Sequence, residues 1–466
     1  MSATETEQLD NPYMNALDLH ALILKQRVSE VRSFCTDVHP AGVAEVLQQL
    51  RPGEIWEALQ TVGPDLRADI FSHLEEQTQV DVMLQLDRRA AAQLLTDMPP
   101  DDRADLFKLL PEDKSRAILP AMAQAEREDI RRLASYEEGT VGAVMTSDYA
   151  VLEAGITVPE AIEKLRLAAP DRETIYVAYV VDSERRLVGF VSLRELILAL
   201  PKRRVDDIMH TEAAFAWVDE DQESAARRLQ KYDLIALPIV DRQNVLVGIL
   251  THDDAFDILV DEQQEDLEKL VAIGGSHESR VYMKTSPWRH FRNRVWWVVG
   301  LAAVGLISGQ IVYHYESLIE RYIILAMFLP LLADAGGNTG SQSATLVVRA
   351  LALGEVKLRD VWRVISKEAL IALMLGLVLG GVAFLRIVIW PGETPSGIGV
   401  PRIAFSISLA LCLQVFSATL LGALLPMLAH RFKLDPAVVA SPALTTTVDV
   451  TGLLIYFGCA SWLLGI

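Results

Sequence analysis

The sequence has little cysteine and lacks the short motifs of common hydrolytic enzymes. Its three cysteines, Cys35, Cys412 and Cys459, show no metal-ligand spacing, and we interpret them as packing residues. The sequence contains no His-Glu-x-x-His, no Gly-x-Ser-x-Gly and no phosphate-binding loop ending in Gly-Lys-Ser/Thr. No lysine or arginine precedes Lys25, and there is no early apolar run, so we expect no signal peptide. These absences argue against an enzyme and against secretion.

Charge and hydropathy are distributed unevenly along the 466 residues. The formal net charge is −19, yet 51% of the residues are apolar and the mean hydropathy is +0.24. Residues 1–290 hold 53 of the 62 acidic residues and 31 of the 43 basic residues, a net charge of −22. Residues 291–466 carry a net charge of +3. We therefore expect an acidic soluble part in the cytoplasm and a membrane part, and the lack of a basic face excludes a nucleic-acid binder.

A twelve-residue repeat runs through the N-terminal part of the sequence. Its apolar positions include Leu47, Leu59 and Phe71, each with a second apolar residue three places later. This spacing gives one face of a short helix, and prolines fall between the faces, where a helix can begin. The pattern predicts a superhelix of short helices over residues 16–133. Five of the seven copies carry an acid, which fits a solvated face and shared divalent cations equally: Glu45, Glu57, Asp69, Asp81 and Asp105.

A second duplication occupies residues 136–266. The segment Val181–Val191 recurs as Val240–Leu250, and both contain a Leu-Val-Gly tripeptide. Each copy reads as helix, strand, turn, strand and helix. The two copies resemble a pair of CBS domains, which are small βαββα modules that pair and often regulate transporters and enzymes.

The CBS resemblance implies a candidate nucleotide site in each copy. In that family a Thr or Ser, followed three places later by Asp, binds adenosine nucleotides, and the Asp contacts the ribose. Thr251 and Asp254 fit this motif, whereas Glu195 replaces the Asp in the first copy. An aromatic residue that could stack on adenine is not evident near Val177 or Leu234. We therefore expect ATP to be a weak ligand at most.

Five apolar stretches in the C-terminal part are each near the ~20 residues that span a bilayer. They are Val295–Tyr313, Tyr322–Val348, Ala369–Ile389, Ile403–Ala429 and Ala437–Leu464. Basic residues cluster before the first stretch and in the second and fourth connections, whereas the other two connections carry almost none. This distribution predicts a multi-pass protein of the cell (inner) membrane, with a cytoplasmic N-terminus and an extracytoplasmic C-terminus.

Polar side chains at membrane depth are costly and mark functional candidates. Asp449 lies about halfway along the fifth stretch, and Ser441 with Pro442 interrupts the helix upstream. Such an interruption can free backbone carbonyls toward a cavity. Small and polar residues over 334–343 of the second stretch suit close helix packing and a water-filled path equally. The pore-lining candidates are Asn338, Thr339, Ser341, Gln342, Ser441 and Thr446.

An acidic helical superhelix, a CBS pair and five membrane helices in one chain resemble the MgtE family of magnesium channels. Two membrane motifs carry the resemblance, Gly336–Ser343 and Asp449–Tyr456. The resemblance implies a homodimer in the lipid bilayer, with a pore on the two-fold axis lined mainly by the second and fifth helices. It implies an ion site at Asp449 with a backbone carbonyl near Thr445. One departure is Ser441, where a relative carries Asn.

The same resemblance implies that Mg²⁺ also binds to the acidic part of the chain. Hard oxygen ligands such as carboxylates are those that Mg²⁺ prefers. The matching positions in the superhelix are Asp69, Asp101 and Asp105. Those in the CBS pair are Asp221, Glu223, Asp233, Asp254 and Asp257, and those on the connecting helix are Glu262, Glu265 and Asp266.

These observations predict a multi-domain fold. The parts are an all-α superhelical N domain over 1–133, an α/β tandem CBS pair over 136–266, a connecting helix and linker over 253–284, and a pore domain of five membrane helices over 285–466. The predicted function is magnesium-selective uptake by a channel or transporter that Mg²⁺ gates at the acidic domains. A carrier or exporter of Mg²⁺ or another divalent cation would use the same residues. A membrane-anchored CBS sensor that moves no ion has no use for Asp449.

Overall fold

A computed structural model of the chain describes residues 14–169, 173–270, 285–391, 399–432, 434–437 and 442–465. The chain divides into two compact units, Met1–Val260 and Asp261–Ile466. The expected linker over 271–284 and the pore-entrance candidate Ser441 lie outside the described residues.

Ten short helices open the N-terminal unit. They are α1 (Ala16–Leu24), α2 (Val28–Asp37), α3 (Pro40–Leu47), α4 (Pro52–Leu59), α5 (Pro64–Ser72), α6 (Glu76–Gln85), α7 (Arg88–Asp97), α8 (Pro100–Leu109), α9 (Glu112–Ile118) and α10 (Gln124–Leu133). Four of them begin with proline, whose fixed φ suits the first helical position. From α2 onwards each helix packs against the helix two places further along the chain. The repeat positions Leu47, Leu59 and Phe71 are fully buried, which confirms the predicted superhelix.

Two three-stranded sheets follow, one in each copy of the duplication. The first copy contains α11 (Val141–Val144), β1 (Tyr149–Glu153), α12 (Val158–Ala168), β2 (Thr174–Val181), β3 (Leu187–Ser192) and α13 (Leu193–Leu198). The second contains β4 (Ala216–Trp217), α14 (Gln222–Lys231), β5 (Ala236–Val240), β6 (Leu246–Thr251) and α15 (His252–Leu270). In each sheet the first strand pairs parallel with the second, and the third pairs antiparallel with the second. This βαββα arrangement confirms the predicted α/β pair.

The two sheets share one core. The buried hydroxyl of Tyr149 donates to the Leu246 carbonyl at 3.0 Å, and that of Tyr179 donates to the Ala236 carbonyl at 3.1 Å. The last turns of the superhelix reach the second copy, because Leu133 of α10 is buried in the same cluster as strands β5 and β6. These contacts explain why superhelix and sheets form a single compact unit.

The C-terminal unit contains, within the described ranges, five helices long and apolar enough to cross a membrane. They are α16 (Pro287–His314), α18 (Ile323–Ala352), α19 (Val361–Ile389), α20 (Val400–Arg431) and α21 (Pro442–Leu464), and the short α17 (Glu316–Arg321) follows α16. The fifth stretch, predicted over Ala437–Leu464 with an interruption at Ser441 and Pro442, has its long helix from Pro442 onwards. Proline suits the first position of a helix and breaks its interior, which accounts for this starting point.

Helix α20 contacts α18, α19 and α21, and glycines bring these helices close together. A Cβ atom at Gly422 of α20 would overlap the backbone oxygen of Gly340 on α18. A Cβ atom at Gly376 of α19 would lie 3.1 Å from the carbonyl oxygen of Cys412 on α20. Small residues at membrane helix interfaces allow such contact. The small residue Gly340 of the second stretch therefore serves close helix packing.

Candidate ion site and acidic cluster

The carboxylate of Asp449 lies near the middle of α21 and is the single charged side chain of that helix. It is half-buried, and it makes no hydrogen bond or ion pair with any residue that the structure describes. Nearby hydroxyls bond their own helix instead, because Thr447 Oγ1 donates to the Ala443 carbonyl at 2.8 Å and Thr451 Oγ1 to the Thr447 carbonyl at 2.9 Å. An acid at membrane depth is costly. A bound cation would offset that cost.

Polar side chains form an exposed stripe along α18, at intervals of three or four residues. We call Asp334, Asn338, Gln342 and Thr345 the α18 stripe. Asn338 Nδ2 donates to Asp334 Oδ1 at 2.9 Å, and Ser341 borders the stripe. Thr339 lies apart from it, because its side chain is buried and its hydroxyl donates to the Ala335 carbonyl at 2.8 Å.

The α18 stripe and the residues before Asp449 lie on helices that pack together. A Cβ atom at Gly337, which directly precedes Asn338, would lie 3.6 Å from Cγ2 of Thr445. Thr445 is one helical turn before Asp449, and Thr446 beside it is partly buried. Two helices therefore bring together several of the polar residues that the sequence singled out.

The membrane helices hold a further acid, on α19, that sequence reasoning missed. Glu368 of α19 is 7% exposed, and its Oε2 accepts a hydrogen bond from Ser343 Oγ of α18 at 2.8 Å. The third apolar stretch predicted from the sequence begins at Ala369, one residue after Glu368. The available signal was an acid directly next to a long apolar run.

Five carboxylates from three elements form an acidic cluster in the N-terminal unit. They are Asp101 and Asp102 on α8, Glu173 directly before β2, and Asp253 and Asp254 on α15. Oδ1 of Asp101 is buried and has no hydrogen-bond partner among the described residues. The sequence predicted Asp101 and Asp254 as metal ligands and missed the other three members.

Burial and mutual repulsion raise the pKa values in this acidic cluster. Burial raises the pKa of Asp101 well above its usual range, and the carboxylates of Asp254 and Asp102 raise it further. Burial and then the charges of Asp254 and Asp253 raise the pKa of Glu173 to about 7. Burial also raises the pKa of Asp254 to about 6, although a hydrogen bond from Thr251 opposes it. A cation in the cluster would favour the charged forms of these acids.

The other predicted ligands of the superhelix have basic neighbours. Asp69 of α5 lies 3.6 Å from His73 Nε2 on an exposed face. Asp105 of α8 forms an ion pair with Lys108 at 2.8 Å. Burial raises the pKa of Asp105, and the lysine opposes this effect.

The predicted ligands in the second CBS copy have local roles. Asp221 caps α14 by accepting a hydrogen bond from the Ser224 backbone N–H at 2.9 Å. Glu223 accepts from Nε of Arg227 at 2.9 Å, and Asp233 is exposed in a left-handed turn with φ of 51°. Across the described ranges, no three His, Cys, Asp or Glu side chains converge closely enough to ligate one ion. Any divalent ion here would thus keep much of its water shell, as Mg²⁺ usually does.

Near its C-terminal end, α15 carries a lysine that contacts the connection before α21. Nζ of Lys269 lies 2.8 Å from Glu265 and 2.9 Å from Asp435. Burial lowers the pKa of Lys269, but these two carboxylates outweigh it and raise the pKa overall. The remaining predicted acids of this helix are Asp257, which is exposed, and Glu262 and Asp266, which are partly buried.

An apolar cleft of about 590 Å³ lies on the CBS pair, lined by Tyr176 and Ser192 among others. The expectation that no aromatic residue is available here was wrong, because Tyr176, one place before Val177, is 65% exposed and faces the cleft. Glu195 is engaged elsewhere: it accepts from Ser192 Oγ at 2.7 Å and lies 2.6 Å from His210 Nε2.

We expect the stability of the N-terminal unit to fall as pH rises from about 4.5 to about 7 without Mg²⁺. The pKa of Glu173 is about 7 in the folded state against an ordinary 4.5. Between these values the folded state keeps a proton that the unfolded state has lost, so unfolding is favoured as pH rises. Glu173→Gln should weaken this pH dependence and raise the melting temperature at about pH 8.

Thermal unfolding of the full chain in detergent with a chelator measures this effect. The matched control is Glu212→Gln, an exposed residue outside the acidic cluster, which should leave the curve unchanged. Identical pH profiles for Glu173→Gln and the native chain would contradict the expectation.

Comparisons with known proteins identify the family. Family models match residues 329–459 (MgtE, divalent cation transporter), 38–139 (MgtE intracellular N domain), and 141–202 and 205–261 (CBS domain). The magnesium transporter MgtE of Thermus thermophilus is 37% identical over 96% of this chain and 98% of its own length, and that of Bacillus subtilis is 30% identical over 97% and 98%. A crystal structure of the soluble part of a magnesium transporter matches 55% of this chain and 99% of its own, with 30% identity and a TM-score of 0.51. The chain belongs to the MgtE family of divalent cation transporters.

Proposed function

We propose that the chain carries Mg²⁺ into the cell across the membrane, with Asp449 as the ion site. One observation supports the site above all: the carboxylate of Asp449 has no protein counter-charge among the described residues. The match to a divalent cation transporter model supports a divalent ion, and the names of the two relatives support magnesium. Asp449 would supply the charge that attracts this ion.

The functional unit is, in this proposal, a homodimer with its pore on the two-fold axis. Two Asp449 carboxylates then match the charge of one divalent ion. Mg²⁺ sheds water reluctantly, so the polar groups of the α18 stripe and Thr445 would bond to its water shell. The apolar span of α16 has no buried residues within one protomer, which fits a helix that contacts lipid or the partner. The N-terminus would face the cytoplasm and the C-terminus the outside.

Mg²⁺ also acts as the regulator in this proposal. The acidic cluster holds carboxylates whose pKa values are raised by burial and mutual repulsion. Binding of a divalent ion relieves this repulsion and is therefore more favourable there than at a solvated face. The first and last members of the cluster along the chain lie on α8 and α15, and α15 ends beside Asp435. Binding of Mg²⁺ would thus shift the preferred position of α15. The C-terminal end of this helix contacts the connection before α21, the helix that carries Asp449.

Flux of Mg²⁺ into liposomes that contain only this protein tests the proposed transport. A magnesium-sensitive dye inside the liposomes should report uptake that empty liposomes lack. Absence of flux from correctly folded protein would instead favour a membrane-anchored CBS sensor. Single-channel currents in planar bilayers would distinguish a channel from a carrier, and the direction of flux at the physiological gradient would distinguish uptake from export.

We propose an adenosine nucleotide as a weak secondary ligand of the CBS cleft. Tyr176 offers a ring for stacking on adenine, but Glu195 is engaged by Ser192 and His210 and so is a poor acceptor for ribose. Stacking on an aromatic side chain is worth about 1–3 kcal/mol per base. Tyr176→Ala should therefore lower ATP affinity roughly tenfold in calorimetry of the full chain.

The control for this prediction is Tyr232→Ala, which removes an exposed tyrosine outside the cleft. ATP binding that is equal in Tyr176→Ala and the native chain would place the nucleotide elsewhere. Micromolar affinity in the native chain would show that Glu195 does not weaken binding.

A further inference from the structure

Gln414 is a fully buried amide in the middle of α20, where apolar side chains otherwise dominate. Its side chain occupies a space that two glycines leave open. A Cβ atom at Gly336 of α18 or at Gly452 of α21 would overlap the Gln414 amide. Both glycines stand close to functional candidates, because Gly336 opens the second-helix motif and Gly452 lies three residues after Asp449.

The amide of Gln414 bonds the backbone next to Asp449. Its Nε2 donates to the carbonyl oxygen of Val448 at 3.0 Å. That carbonyl also accepts from Thr451 Oγ1 at 3.2 Å. In a regular helix it accepts as well from the backbone N–H four residues later. Three donors therefore converge on one carbonyl, at the residue that directly precedes Asp449.

We infer that Gln414 is a positioning residue for the ion site: it fixes the rotation and depth of α21 at Val448 and thereby holds the Asp449 carboxylate in place. The inference rests on the proposed role of Asp449. A buried amide without a partner is costly in apolar surroundings, so the amide constrains α21 to one arrangement. The two glycines allow the amide to reach between α18 and α21, so one side chain sets the spacing of both helices.

The chemistry of Mg²⁺ explains why such positioning matters. Mg²⁺ demands near-octahedral geometry around a small radius, so the distance between its charged ligands must be set closely. Displacing a functional group by about 1 Å lowers function strongly. Without Gln414, the fold would remain while Asp449 lost its fixed position. Affinity and selectivity among divalent ions would therefore change more than stability.

Two near-isosteric substitutions test the inference. Gln414→Met removes both polar atoms, and Gln414→Glu keeps the shape but removes the donor when ionised. We expect both to raise the Mg²⁺ concentration for half-maximal flux by about three- to eighteenfold, which corresponds to the ~0.6–1.7 kcal/mol measured for a hydrogen bond between membrane helices. Discrimination against Ca²⁺ and Co²⁺ should weaken, and the melting temperature in detergent should change little.

The control is Thr419→Val on the same helix. Thr419 is also buried, but its hydroxyl donates only within α20, to the Val415 carbonyl at 2.8 Å. This variant should keep the half-saturating concentration and the selectivity of the native chain. Asp449→Asn, assayed in parallel, separates the ion-site proposal from the proposed role of Gln414. Native flux in that variant would contradict the assignment of Asp449 as the ion site, independently of the results for the Gln414 variants.

Three results would overturn the inference itself. The first is unchanged half-saturation and selectivity in both Gln414 variants. The second is a loss of maximal flux that follows the loss of folded protein, which is the signature of a purely structural role. The third is failure of both variants to assemble, which would make Gln414 a folding residue.

Discussion

Replacing Asp449 with alanine is expected to reduce Mg²⁺ uptake in proteoliposomes to background while the protein still folds and assembles. The carboxylate is the single formal charge of α21, and the described residues provide no partner that could hold an ion in its place. An aspartate at the centre of a membrane helix costs about 3 kcal/mol. Removing it should leave stability unchanged or improved while transport is lost.

Asp449→Asn refines this prediction because it keeps the shape and removes the charge. We expect residual flux with poor discrimination between divalent and monovalent ions. Glu320→Gln, an exposed acid on α17, is the matched control and should transport normally. Native flux with native selectivity in Asp449→Ala would show that the ion binds elsewhere.

Neutralising two members of the acidic cluster, Asp101 and Asp254, together with the neighbouring Asp105 is expected to leave a transporter that conducts even in high Mg²⁺. In the native chain, millimolar-range Mg²⁺ should close the pore by binding among carboxylates that otherwise repel each other. Asp101→Asn, Asp105→Asn and Asp254→Asn together remove three negative charges that favour this binding. Converting a two-state equilibrium from 1:99 to 99:1 takes about 5.5 kcal/mol of differential affinity. Several weak sites that act together would supply it and would respond steeply to concentration.

Flux measured against internal Mg²⁺ concentration reports this change directly. The control neutralises three acids outside the acidic cluster, with Glu112→Gln, Asp113→Asn and Glu163→Gln. Protease protection of residues 271–284 by Mg²⁺ gives a second readout and should disappear in the cluster variant alone. The gating proposal fails if the cluster variant still closes at the native concentration, or if protease sensitivity ignores Mg²⁺.

Patterns local in sequence predicted the fold well. The twelve-residue period determines one buried face per helix, and Leu47, Leu59 and Phe71 are buried accordingly. The duplicated Leu-Val-Gly segment predicted the strands β3 and β6, which both begin with it, because a repeated sequence folds into a repeated element. Both patterns depend on the sequence alone, so no tertiary information was needed.

The candidate sites were predicted less completely, because their members meet through tertiary packing. Glu173 and Asp102 are far apart in sequence, and nothing in their own segments indicates that Asp254 lies near both. Gln414 carries no motif, and its importance depends on two glycines from other helices. Tyr176 was overlooked although it stands directly before Val177, because only the structure shows that its ring lines the cleft.

The close glycine contacts among α18, α19 and α20 determine which parts of the membrane unit can move. Where the backbone of Gly422 meets that of Gly340, no methyl group fits, so these helices cannot slide or rotate past one another without separating. The hydrogen bond from Gln414 to the Val448 carbonyl holds α21 against these packed helices from Val448 onwards. Opening and closing would then come from segments outside these packed helices, such as α16, which has no buried residue within one protomer.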